Sequence, residues 1–225
     1  MNWSLLPTIS APMPFQMALD GLLFTSQKNI SQAPILRFYV SSGFWVSTGY
    51  SFRNDSDLSK SHLIRQNPRM PVCRRITGGG CVLHGRDLVF SLVARISSDL
   101  ERLGSVRTSY EKIHESVKMG LERCGLDTGC YSRNDDLPKG SDCFDFPVES
   151  DLSWSGKKIA GGAQKRSEGV LLHHESILIP PGIVWEELIR SIREGLEKVF
   201  QVRILESDMD PDVYFEAMKK EDYSR

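Results

Sequence analysis

The 225-residue chain is 40% hydrophobic and 25% charged with a net charge of -1, so one sizeable globular core is expected and no global field draws it to nucleic acid or to an anionic membrane. Its five cysteines form no CxxC pair and fit neither a disulfide framework nor a four-ligand zinc site, so no metal is expected and reduced thiols in the cytoplasm are. The N-terminus lacks the basic start and apolar run of a signal peptide, and no run approaches the ~20 apolar residues of a membrane span, which predicts a soluble intracellular protein.

Phe15, Ala18, Leu19, Leu22 and Leu23 recur with helical spacing and predict an amphipathic helix that opens the domain. ILRFYV (35–40) and FWVSTGY (44–50), separated by Ser-Ser-Gly, predict a strand, a turn and a second strand. The polar stretch 51–70, containing Asn67-Pro68, reads as a connection with one helical turn. VCRRIT (72–77) and LVFSLVARI (88–96) read as strands flanking TGGGCVLHGRD. Thr108 and Glu111 make a capping-box pattern before a helix with Tyr110, Ile113, Val117, Leu121 and Cys124 on one face and Gly125 at its end. Residues 128–150 form a long polar connection, of the kind that is often functional. KKIAGGAQKR then leads into VLLHHESILI (170–179), a core strand stopped by Pro180-Pro181-Gly182. Trp185, Leu188, Ile189, Ile192, Leu196 and Val199 mark a third helix, and Asp210-Pro211 starts a short last one carrying Val213, Phe215 and Met218. Strands in pairs mixed with separate helices favour an α+β fold, a mixed β-sheet packed with helices, over a doubly wound parallel sheet. With no linker in sight, one domain is expected over 1–225, its core about 15–200 and 201–225 a short extension.

Two segments carry candidate chemistry. In Arg74-Arg75-Ile76-Thr77-Gly78-Gly79-Gly80 the glycines let backbone approach a ligand and point successive N–H groups into one concavity, while the arginines supply charge for phosphate or carboxylate. The bland alternative is a tight turn with solvated arginines. In Gly156-Lys157-Lys158-Ile159-Ala160-Gly161-Gly162-Ala163-Gln164, Lys158 sits among small residues where its ammonium could meet a thioester or acyl-phosphate oxygen; two adjacent lysines are otherwise a solvated turn. His84 and His174 are candidates for ligand orientation or proton transfer, with a hydrogen-bonded structural role as the alternative.

In this order and spacing, RRITGGGCVLH, GKKIAGGAQ and LLHHESILI resemble the three blocks of the lipoate-protein ligase and octanoyltransferase superfamily, which also includes biotin ligases. MALDGLL and LRFYVSSGFWVSTGY resemble that family's opening helix and strands, so the likeness covers about residues 15–200. The resemblance implies the biotin/lipoate protein ligase catalytic-domain fold, an acyl chain in a hydrophobic tunnel and Lys158 at the reacting carbonyl. It makes Arg74, Arg75, Thr77, Gly78, Gly79, Gly80, His84, Gly161, Gly162, Ala163 and His174 the candidate substrate-binding residues.

The family splits by chemistry. Ligases activate free lipoate with ATP and Mg²⁺, whereas one octanoyltransferase branch takes octanoate from acyl carrier protein onto a cysteine, in a Cys-Phe segment some fifteen residues before the motif lysine. Asp142-Cys143-Phe144 stands at that place, and Gly162-Ala163-Gln164 resembles the transferase form. The resemblance therefore implies Cys143 as nucleophile, no cofactor, acyl carrier protein as donor, and a lipoyl-carrier domain as acceptor, such as the glycine-cleavage carrier protein or a 2-oxoacid dehydrogenase E2. A thiolate attacking a thioester stores the acyl group until an amine makes a more stable amide. A nearby Lys158 would favour the thiolate and the oxyanion, and Asp142 and Asp145 would oppose it.

Two residues depart from the pattern. Gly80 stands where the cysteine transferases carry arginine and resembles the ligase loop, which keeps an ATP-dependent ligase as the alternative. Glu175 stands where both branches carry glycine, and the sequence assigns it no role. A non-catalytic lipoate or lipoyl-domain binder is a third reading. Arg65, Arg69, Lys157, Lys165 and Arg166 are expected to form a local docking patch for acidic carrier domains, while Cys73, Cys81, Cys124 and Cys130 are read as structural.

Overall fold

A computed structural model describes residues 1–29, 33–96, 103–132 and 140–220. Parts of two predicted segments, 133–139 of the polar connection and 221–225 of the C-terminal extension, lie outside the described residues.

The chain runs β1 (Asn2–Ala11), α1 (Met13–Asn29), β2 (Ile35–Ser41), β3 (Trp45–Thr48), α2 (Asp55–Leu58), α3 (His62–Gln66), β4 (Val72–Arg74), β5 (Val82–His84), β6 (Asp87–Arg95) and α4 (Val106–Arg123). It continues through β7 (Thr128–Cys130), β8 (Leu152–Trp154), β9 (Lys157–Ser167), β10 (Val170–Leu178), α5 (Trp185–Phe200), β11 (Arg203–Glu206) and α6 (Pro211–Lys219). Eight strands form one mixed sheet in the order β11-β1-β2-β6-β10-β9-β8-β7, and β4-β3-β5 make a small second sheet. The mixed sheet packed with helices is the α+β architecture that the pairing of strands predicted.

The central strands β2, β6 and β10 read as near-continuous apolar runs because both faces of the sheet are covered. On one face Leu36, Phe38, Phe90 and Leu171 pack with Ile113 and Val117 of α4 and Ile192 of α5. On the other, Val93, Val170 and Leu172 pack with Phe15 and Leu19 of α1 and Ala217 of α6. The period of two thus sends His173 and Glu175 toward α4 and His174 and Ser176 toward the opposite face. Met13, Met17, Tyr39, Cys73 and Val89 form a third cluster, with Trp45 of the small sheet packed against it.

Several elements differ from expectation for identifiable reasons. The strand β1, not the helix, comes first; Pro7 disguises it, and the ladder to β2 shifts register between Leu6 and Ile9. Residues 157–167 are a strand despite Gly161 and Gly162. The cap of α4 is Ser105, whose hydroxyl accepts from the Thr108 N–H, not Thr108 itself. Asp210 caps α6 as expected, but Phe215 and Met218 are exposed and Tyr214 meets Phe15 instead. No helix among the described residues is long and apolar enough to cross a membrane.

Candidate active site

The glycine-rich segment joins β4 to β5 and lies against the segment that carries Cys143. Asp142 forms a parallel bridge with Cys81, in which the Cys81 N–H donates to the Ser141 carbonyl (2.6 Å) and the Cys143 N–H to the Cys81 carbonyl (2.8 Å). Asp142 is buried and turned toward α3, where its carboxylate accepts from the Ser61 hydroxyl and from the Leu63 N–H. The Ser141 hydroxyl donates to the Lys60 carbonyl, so the segment is held on two sides. Cys143 is half-buried, and its Sγ accepts the Gly80 N–H at 3.2 Å.

Gly80 is explained by this close approach: a Cβ there would be driven into the Ser141 carbonyl oxygen and against Cys143 Sγ. Arg75 braces the same loop from within. One guanidinium nitrogen donates to the Ser47 carbonyl and hydroxyl, the other to the Gly78 and Gly80 carbonyls. Arg74 is exposed.

Lys158 comes from β9. Its Nζ lies 2.6 Å from Asp151 Oδ2 in a buried ion pair and 5.4 Å from the centre of the Phe144 ring. Burial raises the Asp151 carboxyl above its ordinary range even though Lys158 and the Val148 N–H oppose the shift. Gly161 makes room for this pair, since a Cβ there would strike Lys158 Nζ and Asp151 Oδ1.

The two histidine candidates are held by buried carboxylates. His84 Nδ1 pairs with Asp87 (2.7 Å) and its Nε2 faces the Ser47 hydroxyl (2.8 Å). His174 bridges the Thr77 hydroxyl (3.0 Å) and Asp20 (3.1 Å). Burial pushes the Asp20 carboxyl up, but Arg37 at 2.8 Å, with His174 and Ser91, more than offsets it and holds the group well below the usual carboxylate range.

One cavity is lined by Cys143, Phe144, Lys158, Arg75, Gly79, Gly161, Gly162, Ala163, His84 and His174 together with the apolar Met13, Met17, Val82 and Val89. Arg74, Thr77, Gly78 and Gly80 do not line it, although Gly80 reaches Cys143. Sequence reasoning missed Asp151 and Asp20; an acid seven residues before Lys158 in a polar loop was the signal for the first. Of the expected docking patch, Lys157, Arg65 and Arg69 are exposed, whereas Arg166 is spent on the Leu103, Gly104 and Ser105 carbonyls at the start of α4. Among the described residues, no group of three His, Cys, Asp or Glu could hold a metal ion.

A thiol that takes a backbone N–H, a buried lysine and an apolar-lined cavity between two sheets are the features by which the chain can be compared with known proteins. Residues 12–201 match the lipoyl protein ligase A/B catalytic domain, and the chain belongs to that family. It is similar to the octanoyltransferase LipM of Clostridioides difficile (31% identity over 184 residues) and of Bacillus subtilis (31% over 185), in each case over 79% of this chain and 66% of the relative. The chain thus spans just under two thirds of the length of these curated relatives. Among solved structures, a lipoate-protein ligase A bound with ATP superposes with a TM-score of 0.75 at 23% identity, covering 99% of this chain and 95% of the other. A structure from an archaeal lipoylation system, described as a bipartite lipoate protein ligase and its E2 lipoyl domain from Thermoplasma acidophilum, gives 0.71 at 23%, covering 99% and 92%. These likenesses establish the fold, as the resemblance in the sequence implied.

Proposed function

We propose that this protein transfers an octanoyl or lipoyl group to a lysine of a lipoyl-carrier domain, with octanoyl-acyl carrier protein as donor and a thioester on Cys143 as intermediate. The observation that carries this reading is the Gly80 N–H donated to Cys143 Sγ in a cavity shared with Lys158. The Cys143 thiolate attacks the donor thioester; the carbonyl becomes a tetrahedral oxyanion, and the carrier thiolate leaves and takes a proton. The acceptor amine then attacks the enzyme thioester and loses a proton, and Cys143 is released as amide forms. The Gly80 N–H steadies the Cys143 thiolate before it attacks and as it departs, and the Lys158 ammonium is the donor for the oxyanion of each step. The apolar stretch with Met13, Met17, Val82 and Val89 takes the acyl chain.

The names of the LipM relatives support this reading. No nucleotide is consumed, because both half-reactions start from a thioester. Five free cysteines suit a cytoplasmic setting, and exposed Lys157, Arg65 and Arg69 suit an acidic carrier domain, such as the glycine-cleavage carrier protein or a 2-oxoacid dehydrogenase E2. The ligase alternative, with ATP and Mg²⁺, drew on Gly80, for which the packing of Ser141 now supplies another cause.

The test is intact mass of wild type and Cys143→Ser after incubation with octanoyl-acyl carrier protein and no nucleotide. One octanoyl group on wild type alone is expected. No adduct on either, with carrier-domain lipoylation only after ATP and lipoate are added, would establish the ligase; binding without transfer under either donor would establish a non-catalytic binder.

A further inference from the structure

At the wall of the cavity, on the α4 side of the sheet, lies a charged group that the proposed chemistry does not use. Glu175 is fully buried, and its Oε2 faces two imidazoles: His173 Nε2 at 2.8 Å and His114 Nε2, from α4, at 3.2 Å. Its Oε1 is buried with no partner among the described residues, so the carboxylate depends on these histidines.

The protonation of both rings follows from their other contacts. Gln164 accepts the Arg166 Nε–H through Oε1, so its amide nitrogen donates to His173 Nδ1, which leaves the His173 proton on Nε2 facing Glu175. His114 Nδ1 lies 2.6 Å from the Ser150 carbonyl, which only accepts, while its Nε2 faces a carboxylate, so His114 carries two protons. Burial works against charge on both members of this pair, but their attraction and hydrogen bonds prevail: the Glu175 carboxyl is held at about 2, and His114 is raised above its ordinary value.

Ser150 immediately precedes Asp151, the partner of Lys158, and Ser150 sits at φ 73°, a conformation that a serine adopts only when its surroundings hold it there. We infer that Glu175, acting through the His114 imidazolium and the Ser150 carbonyl, is a positioning residue that holds Asp151 and thereby fixes Lys158. The inference deepens the acyl-transfer reading, on which it rests only for what Lys158 does once placed.

Two measurements on the full chain need no turnover. Competitive acetylation with acetic anhydride, read by peptide mass spectrometry against exposed Lys198 and Lys219, should label Lys158 at least threefold more in Glu175→Gln than in wild type. Long-range nitrogen–proton spectra of wild type should show that His114 gives up its second proton only above the ordinary imidazole range and that His173 is a neutral Nε2–H ring; this can overturn the inference even if the variant fails to fold. A third measurement, Cys143 loading from octanoyl-acyl carrier protein, should fall about tenfold in kcat in Glu175→Gln with KM unchanged. Unchanged Lys158 labelling, or a His114 that titrates at or below its ordinary value, overturns the inference. Absence of loading in wild type would remove the acyl-transfer reading and leave the labelling and the spectra to judge the positioning role.

Discussion

A methyl group added at Gly80 would be driven into the Ser141 carbonyl, and the segment that carries Cys143 would have to lift away. Gly80→Ala should therefore lower Cys143 acyl loading about 100-fold, the order expected when a reacting atom moves by about 1 Å, and lower the melting temperature as the hydrogen bonds that hold the segment are strained. Single-turnover loading kinetics check this, and a wild-type rate would remove the close approach from the account. At Lys158 the two roles are separable: Lys158→Met removes the cation but leaves Asp151 buried without its partner. Loss of roughly 10² to 10³ in loading rate is expected from deleting one charge-stabilising donor, and Asp151→Asn combined with Lys158→Met should recover stability without recovering rate. Cys143 and Lys158 could be singled out as candidates in the sequence because each lies inside a short motif, and the fold brings both to one cavity. The pairing of His114 with Glu175 was not legible there, because the two lie on α4 and β10 and only tertiary packing brings them together, and Asp151 left only the local signal of an acid seven residues before Lys158.

At the scale of elements, α1 is tied to the sheet by a polar group as well as by Phe15 and Leu19. Asp20 on α1 receives Arg37 and Tyr39 from β2 and Ser91 from β6, all buried. Removing one partner of a buried ion pair strands the other, so Arg37→Leu should cost about 3–5 kcal/mol by denaturant titration; a cost below about 1 kcal/mol would mean that Asp20 takes a proton instead. The same pair bears on the site, because Asp20 also meets His174 behind the Thr77 loop. Amphipathic helices were readable from their period, and the central strands from near-continuous apolar runs, since both faces of β6 and β10 are covered. The strands β1 and β9 were not: Pro7 and the Gly161-Gly162 pair argue against strand locally, and tertiary pairing overrides that preference.

For the molecule as a whole, buried titrating groups set the pH range of stability. Glu175, held at about 2 against an ordinary 4.5, contributes stability that is present above pH 4.5 and lost as pH falls toward 2. His114 works with the opposite sign: raised above 6.5, it contributes below pH 6.5 and is lost as pH rises through its folded value. On the alkaline limb the buried thiols act together with Tyr39 and Tyr110, whose hydroxyls burial also pushes up. Burial pushes Cys73, beneath the small sheet, from 9.0 up to about 12, with Arg75 opposing only in part. The folded chain then keeps a proton that the unfolded chain gives up above pH 9, and stability falls with pH there. At pH 10 this amounts to about 1.4 kcal/mol, or roughly 3 °C in melting temperature for a chain of this size. Cys73→Ala should start from a lower melting temperature at pH 8 because of the lost packing, yet lose about 3 °C less than wild type between pH 8 and pH 10. Scanning calorimetry at the two pH values separates the effects, and equal losses in both proteins would show that Cys73 ionises as readily in the folded chain as in the unfolded one.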